Sequence, residues 1–220
     1  MMKFAMPLAL CAALALSACA TAPLETPSRA ASATGSLADT GQSLAPRAPL
    51  FKVESVRVKV PRSLKVSERN SFYPGGDIVW REDPPGDRHA QVARIVEDAM
   101  LRGVRGLEIE EGVPAVLDIE VSRFHALTEK ARYTTGGVHA LQFTMTLRDP
   151  ETGEPFGEPK FVKADFKALG GSAAVRAEQA GLTQKVRITE HLAGVIQQQL
   201  TAPETYHAAK LGLMGALNQF

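Results

Sequence analysis

The sequence predicts an α+β domain: an antiparallel β-sheet with two amphipathic helices packed on one face, preceded by a signal peptide and a disordered tether. Apolar residues alternate with polar ones over Leu117, Ile119 and Val121, over Leu141, Phe143, Met145 and Leu147, and over Val162, Ala164, Phe166 and Ala168. That period of two marks half-buried strands. Apolar residues instead recur at three- and four-residue steps over Val92, Val96, Ala99 and Met100, and over Leu182, Val186, Thr189, Ala193, Ile196 and Leu200. Such a stripe marks a helix with one buried side. Strands grouped apart from helices, rather than alternating with them, define the α+β class.

Taken in order, residues 1–18 have a basic start at Lys3, an apolar run over 4–16, and the small residues Ser17 and Ala18 ahead of Cys19, the three parts of a secretory signal. The run falls short of the about 20 apolar residues that span a bilayer. Residues 19–50 are rich in Ala, Ser, Thr, Pro and Gly and carry no aromatic residue, so they cannot bury enough apolar surface to offset chain entropy. As a flexible tether they reach roughly 30 Å.

The domain is expected over 51–200. Phe51 and Val53, then Val56, Val58 and Val60 against Arg57 and Lys59, read as a strand whose parity changes near Ser55; Leu64-Lys65-Val66 extend it past Pro61. Tyr73-Pro74-Gly75-Gly76 is a turn, and Ile78-Val79-Trp80 a short extended segment. Asp83-Pro84-Pro85-Gly86-Asp87 supplies cap residues for the first helix, which is expected to end near Gly103 or Gly106. The next three strands, with a turn at Asp149-Pro150-Glu151-Thr152-Gly153, form an antiparallel meander. Gly170-Gly171 separates them from one long helix whose stripe runs about 28 Å. The outer sheet face is expected to be a solvated lattice of mixed charge, including Arg57, Lys59, Asp118, Glu120, Arg148, Lys163, Asp165 and Lys167. Residues 201–220 are a tail, either frayed or an amphipathic helix with Tyr206, Leu213, Leu217 and Phe220 on one side.

Composition removes several function classes. Cleavage before Cys19 takes away Lys3 and Cys11, leaving a neutral formal balance and one cysteine. A lone Cys forms no internal disulfide, zinc cluster or redox pair. A neutral chain also lacks the basic footprint of nucleic-acid binding, so partners are protein, lipid or small molecule.

No Gly-x-Ser-x-Gly elbow, His-Glu-x-x-His, Walker loop or dinucleotide fingerprint occurs. The adjacent acidic pairs Glu82/Asp83, Glu97/Asp98 and Glu110/Glu111 point apart and make no dyad. Among the five histidines, His125 and His139 flank the connection 126–138 and approach each other if their strands pair; a metal site or a hydrolase there is the weakest of the functional readings. Two loops are richer than a scaffold needs. One carries Tyr73, Trp80 and Arg81, either as binding residues or, with Phe72, as one edge of the core. The other carries Lys130, Arg132, Tyr133 and His139 beside Gly136-Gly137, either docking an acidic group or forming an exposed basic hairpin.

Two resemblances add to this. Leu16-Ser17-Ala18-Cys19 resembles the lipobox of bacterial lipoproteins. The resemblance implies a diacylglyceryl group on the Cys19 sulfur, removal of residues 1–18, and acylation of the freed amine with a fatty acid such as palmitate. Several chains make anchoring stable where one is marginal. In such proteins an Asp after the Cys commonly marks inner-membrane retention, so Ala20 favours the outer membrane. Leu64-Lys65-Val66-Ser67-Glu68-Arg69-Asn70, Gly76-Asp77-Ile78-Val79-Trp80-Arg81-Glu82-Asp83-Pro84-Pro85-Gly86-Asp87 and Arg132-Tyr133-Thr134-Thr135-Gly136-Gly137-Val138-His139 resemble an uncharacterised family of alphaproteobacterial lipoproteins, over about residues 50–200. That family brings no catalytic residues. The element order is more loosely similar to the lipoprotein that plugs the lipopolysaccharide-translocating barrel and to auxiliary lipoproteins of envelope transporters, an analogy of fold alone. The expectation is a non-enzymatic, cofactor-free outer-membrane lipoprotein facing the periplasm and binding an envelope protein or lipid; the alternative is a periplasmic ligand-binding domain using the Tyr73–Trp80 loop.

Overall fold

Two long strands with clean alternation form the centre of the sheet: β3 (Val113–His125) and β4 (Gly137–Arg148), antiparallel, with Leu117 opposite Leu147 and Phe124 opposite Leu141. The computed structural model describes residues 50–211, all within one compact unit. The signal peptide, Cys19 and tether, and most of the apolar side of the tail, lie outside the described residues.

Each outer column of the sheet is made of two shorter strands set end to end. β1 (Phe51–Lys59) and β2 (Ile78–Val79) both pair with β3; β5 (Lys160–Lys163) and β6 (Phe166–Ala168) both pair with β4. The expected antiparallel sheet is therefore corrected to a mixed one, because β1 and β2 run parallel to β3. The physical reason is the helix between them. Parallel neighbours need a long crossover, and α1 (Arg88–Arg105) supplies it. The expected parity change in β1 is present as a register shift between Val53 and Ser55.

Three other expectations need correction. The first strand does not continue past Pro61: residues 61–64 turn, and Val66 only bridges Ile78, with the Lys65 N–H donating to Asp77 Oδ2 at 2.8 Å. The third strand of the meander is broken at Ala164 and Asp165. Asp165, expected on the solvated face, is buried and accepts the Leu141 N–H at 2.9 Å, replacing a ladder bond. The long closing helix is two helices, α3 (Gly171–Gln179) and α4 (Gln184–Thr201), divided at Gly181 in the left-handed region (φ 78°). Leu182, expected on the stripe, lies in that turn and is exposed.

α1 and α4 cover one face. Val92, Ile95, Val96, Ala99 and Met100 from α1 and Ile188, Leu192, Val195 and Ile196 from α4 meet Leu117, Ile119, Val121, Leu141 and Phe143 of the sheet. Asp87 caps α1 and Thr183 caps α4 through their side-chain oxygens. The helices come close at Gly103, where a Cβ would sit 2.6 Å from the Ala193 carbonyl oxygen. The opposite face carries the expected mixed charge: Lys59 donates to Glu120 at 2.9 Å and Arg148 to Asp118 at 2.7 Å. After α4 a short 3₁₀ turn (Pro203–Thr205) leads to Tyr206, whose hydroxyl donates to the Lys163 carbonyl at 2.6 Å.

Candidate functional site

The segment Trp80-Arg81-Glu82-Asp83 leaves β2 and turns under the start of α1, where its charges are met from four directions. Trp80 is wholly buried (0% exposed), edge-on to Phe124, with its indole N–H donating to Asp83 Oδ2 at 2.8 Å. Lys185 of α4 donates to the other Asp83 oxygen, and its backbone N–H donates to Glu82 at 3.2 Å. Arg81 donates to Glu129 at 2.7 Å and to the Glu68 carbonyl. Arg88, buried in the first turn of α1, donates to both Glu68 oxygens at 2.7 and 3.1 Å.

Arg132 completes the cluster from α2 (Glu129–Arg132), a single turn capped by Thr128. It bridges Glu82 at 3.0 Å and Glu178 of α3 at 3.2 Å, with its side chain 13% exposed. The expectation of an exposed basic hairpin there is corrected, because Arg132 is enclosed by these carboxylates. Tyr133 is half-exposed; its ring lies against Arg132 and its hydroxyl donates to Glu178 at 3.2 Å. Lys130 stays in solvent, over the ring of Phe72 at 4.9 Å.

Arg81, Arg132 and Tyr133 are thus brought together, but as partners of the chain's own carboxylates. Burial alone would push the Asp83 and Glu129 carboxyls up; the hydrogen bonds from Lys185 and Trp80 to Asp83, and from Arg81 to Glu129, hold both below the ordinary range instead. Tyr73 is 64% exposed while Trp80 has no accessible surface, so the two do not line a common pocket. Of the three aromatics read as a core edge, only Trp80 is buried; Phe72 and Tyr73 stand in solvent.

His125 and His139 do not form a pair. His125 lies opposite Ala140, and neighbouring residues along a strand face opposite ways, so His139 projects from the other face. His125 meets an Arg123 guanidinium N–H at 3.2 Å. His139 lies 4.8 Å from the Phe166 ring, which stacks in turn on His191 at 4.1 Å. Burial, aided by Arg123, pushes the His125 imidazole down to about 4. Burial also takes His139 to about 3, with Arg187, His191 and Arg132 adding positive charge nearby. Both are neutral at pH 7. The cavity beside His139, between Arg132, Glu178 and Arg187, measures about 10 Å³, room for about one water and for no substrate. Among the described residues no three His, Cys, Asp or Glu side chains are grouped to hold a metal ion.

A feature that sequence reasoning missed lies at the other end of the sheet. A groove of about 670 Å³ runs between the start of β1, the β4–β5 hairpin and the end of α4, lined by Leu50, Phe51, Leu147, Phe156, Gln199 and Leu200 among others. Its walls come from four separate stretches, so no local pattern announces it. The one available signal is Gln199, a polar residue on the buried side of α4.

The chain belongs to a family of unknown function (DUF6778), whose model matches residues 51–216. No curated protein matches. Among solved structures, a candidate lipoprotein from Caulobacter crescentus CB15 is similar at 14% identity and a TM-score of 0.31, over 50% of this chain and 80% of that one. Protein XCC0632 from Xanthomonas campestris, of family DUF330, is similar at 12% identity and a TM-score of 0.41, over 70% of this chain and 82% of that one.

Proposed function

We propose that this chain is an outer-membrane lipoprotein that faces the periplasm, is not an enzyme, and presents its α+β domain to an envelope protein or lipid component in an assembly or transport accessory role. The observation that carries the reading is the lipobox Leu16-Ser17-Ala18-Cys19, followed by a polar stretch and then a compact domain. Support also comes from the way the chemically suggestive side chains are used. Arg81, Arg132 and Tyr133 bind the chain's own carboxylates, and both strand histidines are buried and neutral. The neutral charge balance of the mature chain argues against a nucleic-acid partner.

Cys19→Ser removes the acceptor sulfur. The variant is expected to fold normally and to leave the membrane fraction for the soluble periplasmic one. Equal membrane retention of wild type and variant would refute the anchor. Crosslinking in intact cells, followed by identification of what is joined to the domain, tests the accessory role; recovery of no envelope component with the wild-type protein counts against it.

A further inference from the structure

Phe72 and Tyr73 are adjacent, 41% and 64% exposed, and Tyr73 is the most exposed large hydrophobic side chain among the described residues. The loop that carries them is tied down on both sides. The Ser67 hydroxyl donates to the Pro74 carbonyl at 2.7 Å, the Thr128 hydroxyl donates to the Ser71 carbonyl at 2.8 Å, and the Asn70 side-chain oxygen accepts the Lys130 N–H at 2.9 Å. Pro74, next to Tyr73, is buried. Apolar residues exposed singly need no explanation, but neighbouring rings held outward on a braced backbone make a presented surface.

The charge left over around these rings has one sign. Glu68 and Glu129 are taken by Arg88 and Arg81, and Asp77 turns in to accept the Lys65 N–H. Lys65, Arg69 and Lys130 are exposed, and among the described residues no carboxylate pairs with their side chains; Lys130 lies over the Phe72 ring. Both long helices also begin at this end of the sheet, where Arg88 meets Glu68 and Gln184 accepts the Leu127 N–H, so their positive ends point the same way. From this we infer that the Phe72–Tyr73 tip docks on an anionic lipid surface. The two rings enter the headgroup boundary, and Lys65, Arg69 and Lys130 meet lipid phosphates. Aromatic rings beside cations are the combination by which interfacial segments bind anionic bilayers, and the tyrosine hydroxyl stays wet while its ring is buried. A protein partner is the poorer match. A stable interface buries about 800 Å² on each side, and two aromatic side chains, at about 150–250 Å² each even when wholly buried, fall well short of it. The inference deepens the proposed reading by naming a lipid as what the domain meets; for its place beside a membrane it rests on that reading, and for its chemistry on the tip alone.

The test reads the tip itself. The full chain carrying Cys19→Ser and Tyr73→Trp has a new indole at position 73, while Trp80, wholly buried, gives a constant background. With phosphatidylglycerol vesicles the emission is expected to shift to the blue and to be quenched by lipid brominated on its acyl chains. Binding should be at least tenfold weaker to phosphatidylcholine vesicles, and should fall in about 0.5 M NaCl. Adding Arg69→Glu with Lys130→Glu should weaken binding to phosphatidylglycerol at least tenfold at an unchanged melting temperature. Lys160→Glu with Phe161→Ser, exposed residues on β5, should leave it unchanged. No blue shift, equal responses to the two lipids, or an equal loss from the β5 changes overturns the tip as an anionic-lipid site. So does a tip silent to vesicles that crosslinks from position 73 to an envelope protein in intact cells, which assigns the rings to a protein partner. Retention of Cys19→Ser in the membrane fraction refutes the anchor but does not alter the lipid preference at position 73, so the two readings fail separately.

Discussion

At the scale of single residues, burial decides what each side chain can do. Trp80 was legible as an aromatic that either binds or closes an edge of the core, and what decides for the core is its contact with the distant Phe124 and Lys185, which no local pattern carries. Arg132 sits among basic residues in sequence, and its partners Glu82 and Glu178 come from segments far along the chain. The two strand histidines make the pH dependence of stability predictable. Below pH 6.5 the unfolded chain takes up protons at both, while the folded chain does not until about 4 at His125 and about 3 at His139. Their contribution is therefore full above pH 6.5 and is lost as the pH falls, by about 1.4 kcal/mol per pH unit for each histidine once the pH is well inside that window. The carboxyls of Asp83 and Glu129, held below the ordinary range, extend the loss to lower pH. His139→Phe keeps a ring against Phe166 and strands no hydrogen bond, because the His139 Nδ1 has no partner. Urea midpoints measured from pH 7.5 to 4.5 should fall less steeply in this variant; parallel profiles would show that His139 is not buried and neutral.

At the scale of elements, periodicity located the long strands and α1 well, because each buries one side along its whole length. It failed where tertiary contacts override the local pattern. The break between β5 and β6 exists because Asp165 turns inward to the Leu141 N–H, and α3 ends because Gly181 adopts a positive φ that the preceding pattern does not encode. Parallel pairing of β1 was invisible because it is set by what the chain does between β1 and β3. The α1–α4 crossing gives a sharp test at Gly103. Alanine there gains up to about 1 kcal/mol of helix propensity. It also drives a methyl group into Ile196 and to 2.6 Å from the Ala193 carbonyl oxygen, and overpacking of this kind costs about 1–3 kcal/mol. Backbone cannot yield as a side chain does, so Gly103→Ala is expected to destabilise by about 1–2 kcal/mol. A higher denaturation midpoint than wild type would place the helices farther apart than they are described.

At the scale of the whole molecule, the sheet, the two covering helices and the charge cluster form one cooperative body that extends past α4. The tail was expected to be either frayed or a separate docking helix, yet Tyr206 packs against the core and its hydroxyl reaches the Lys163 carbonyl. Truncation after Ala202 is therefore expected to cost about 1–3 kcal/mol. Tyr206→Ala should account for most of that loss. An unchanged thermal midpoint in both would return the segment to the status of a loose end. The groove bordered by Gln199 was illegible in sequence for the same reason that the charge cluster was: its members share no neighbourhood until the chain has closed.

The parallel pairing of β1 has a consequence for how such a chain is made. Synthesis delivers a polypeptide N-terminus first, so β1 is complete with its apolar side uncovered while its partner β3 is still to come, with the whole of residues 60–112 between them. Contacts that distant form slowly, whereas the β3–β4 hairpin closes over a short connection. Assembly therefore runs against the order of arrival. The first strand to be made docks only after β3 has followed it, and until then its apolar side is the one most in need of being held.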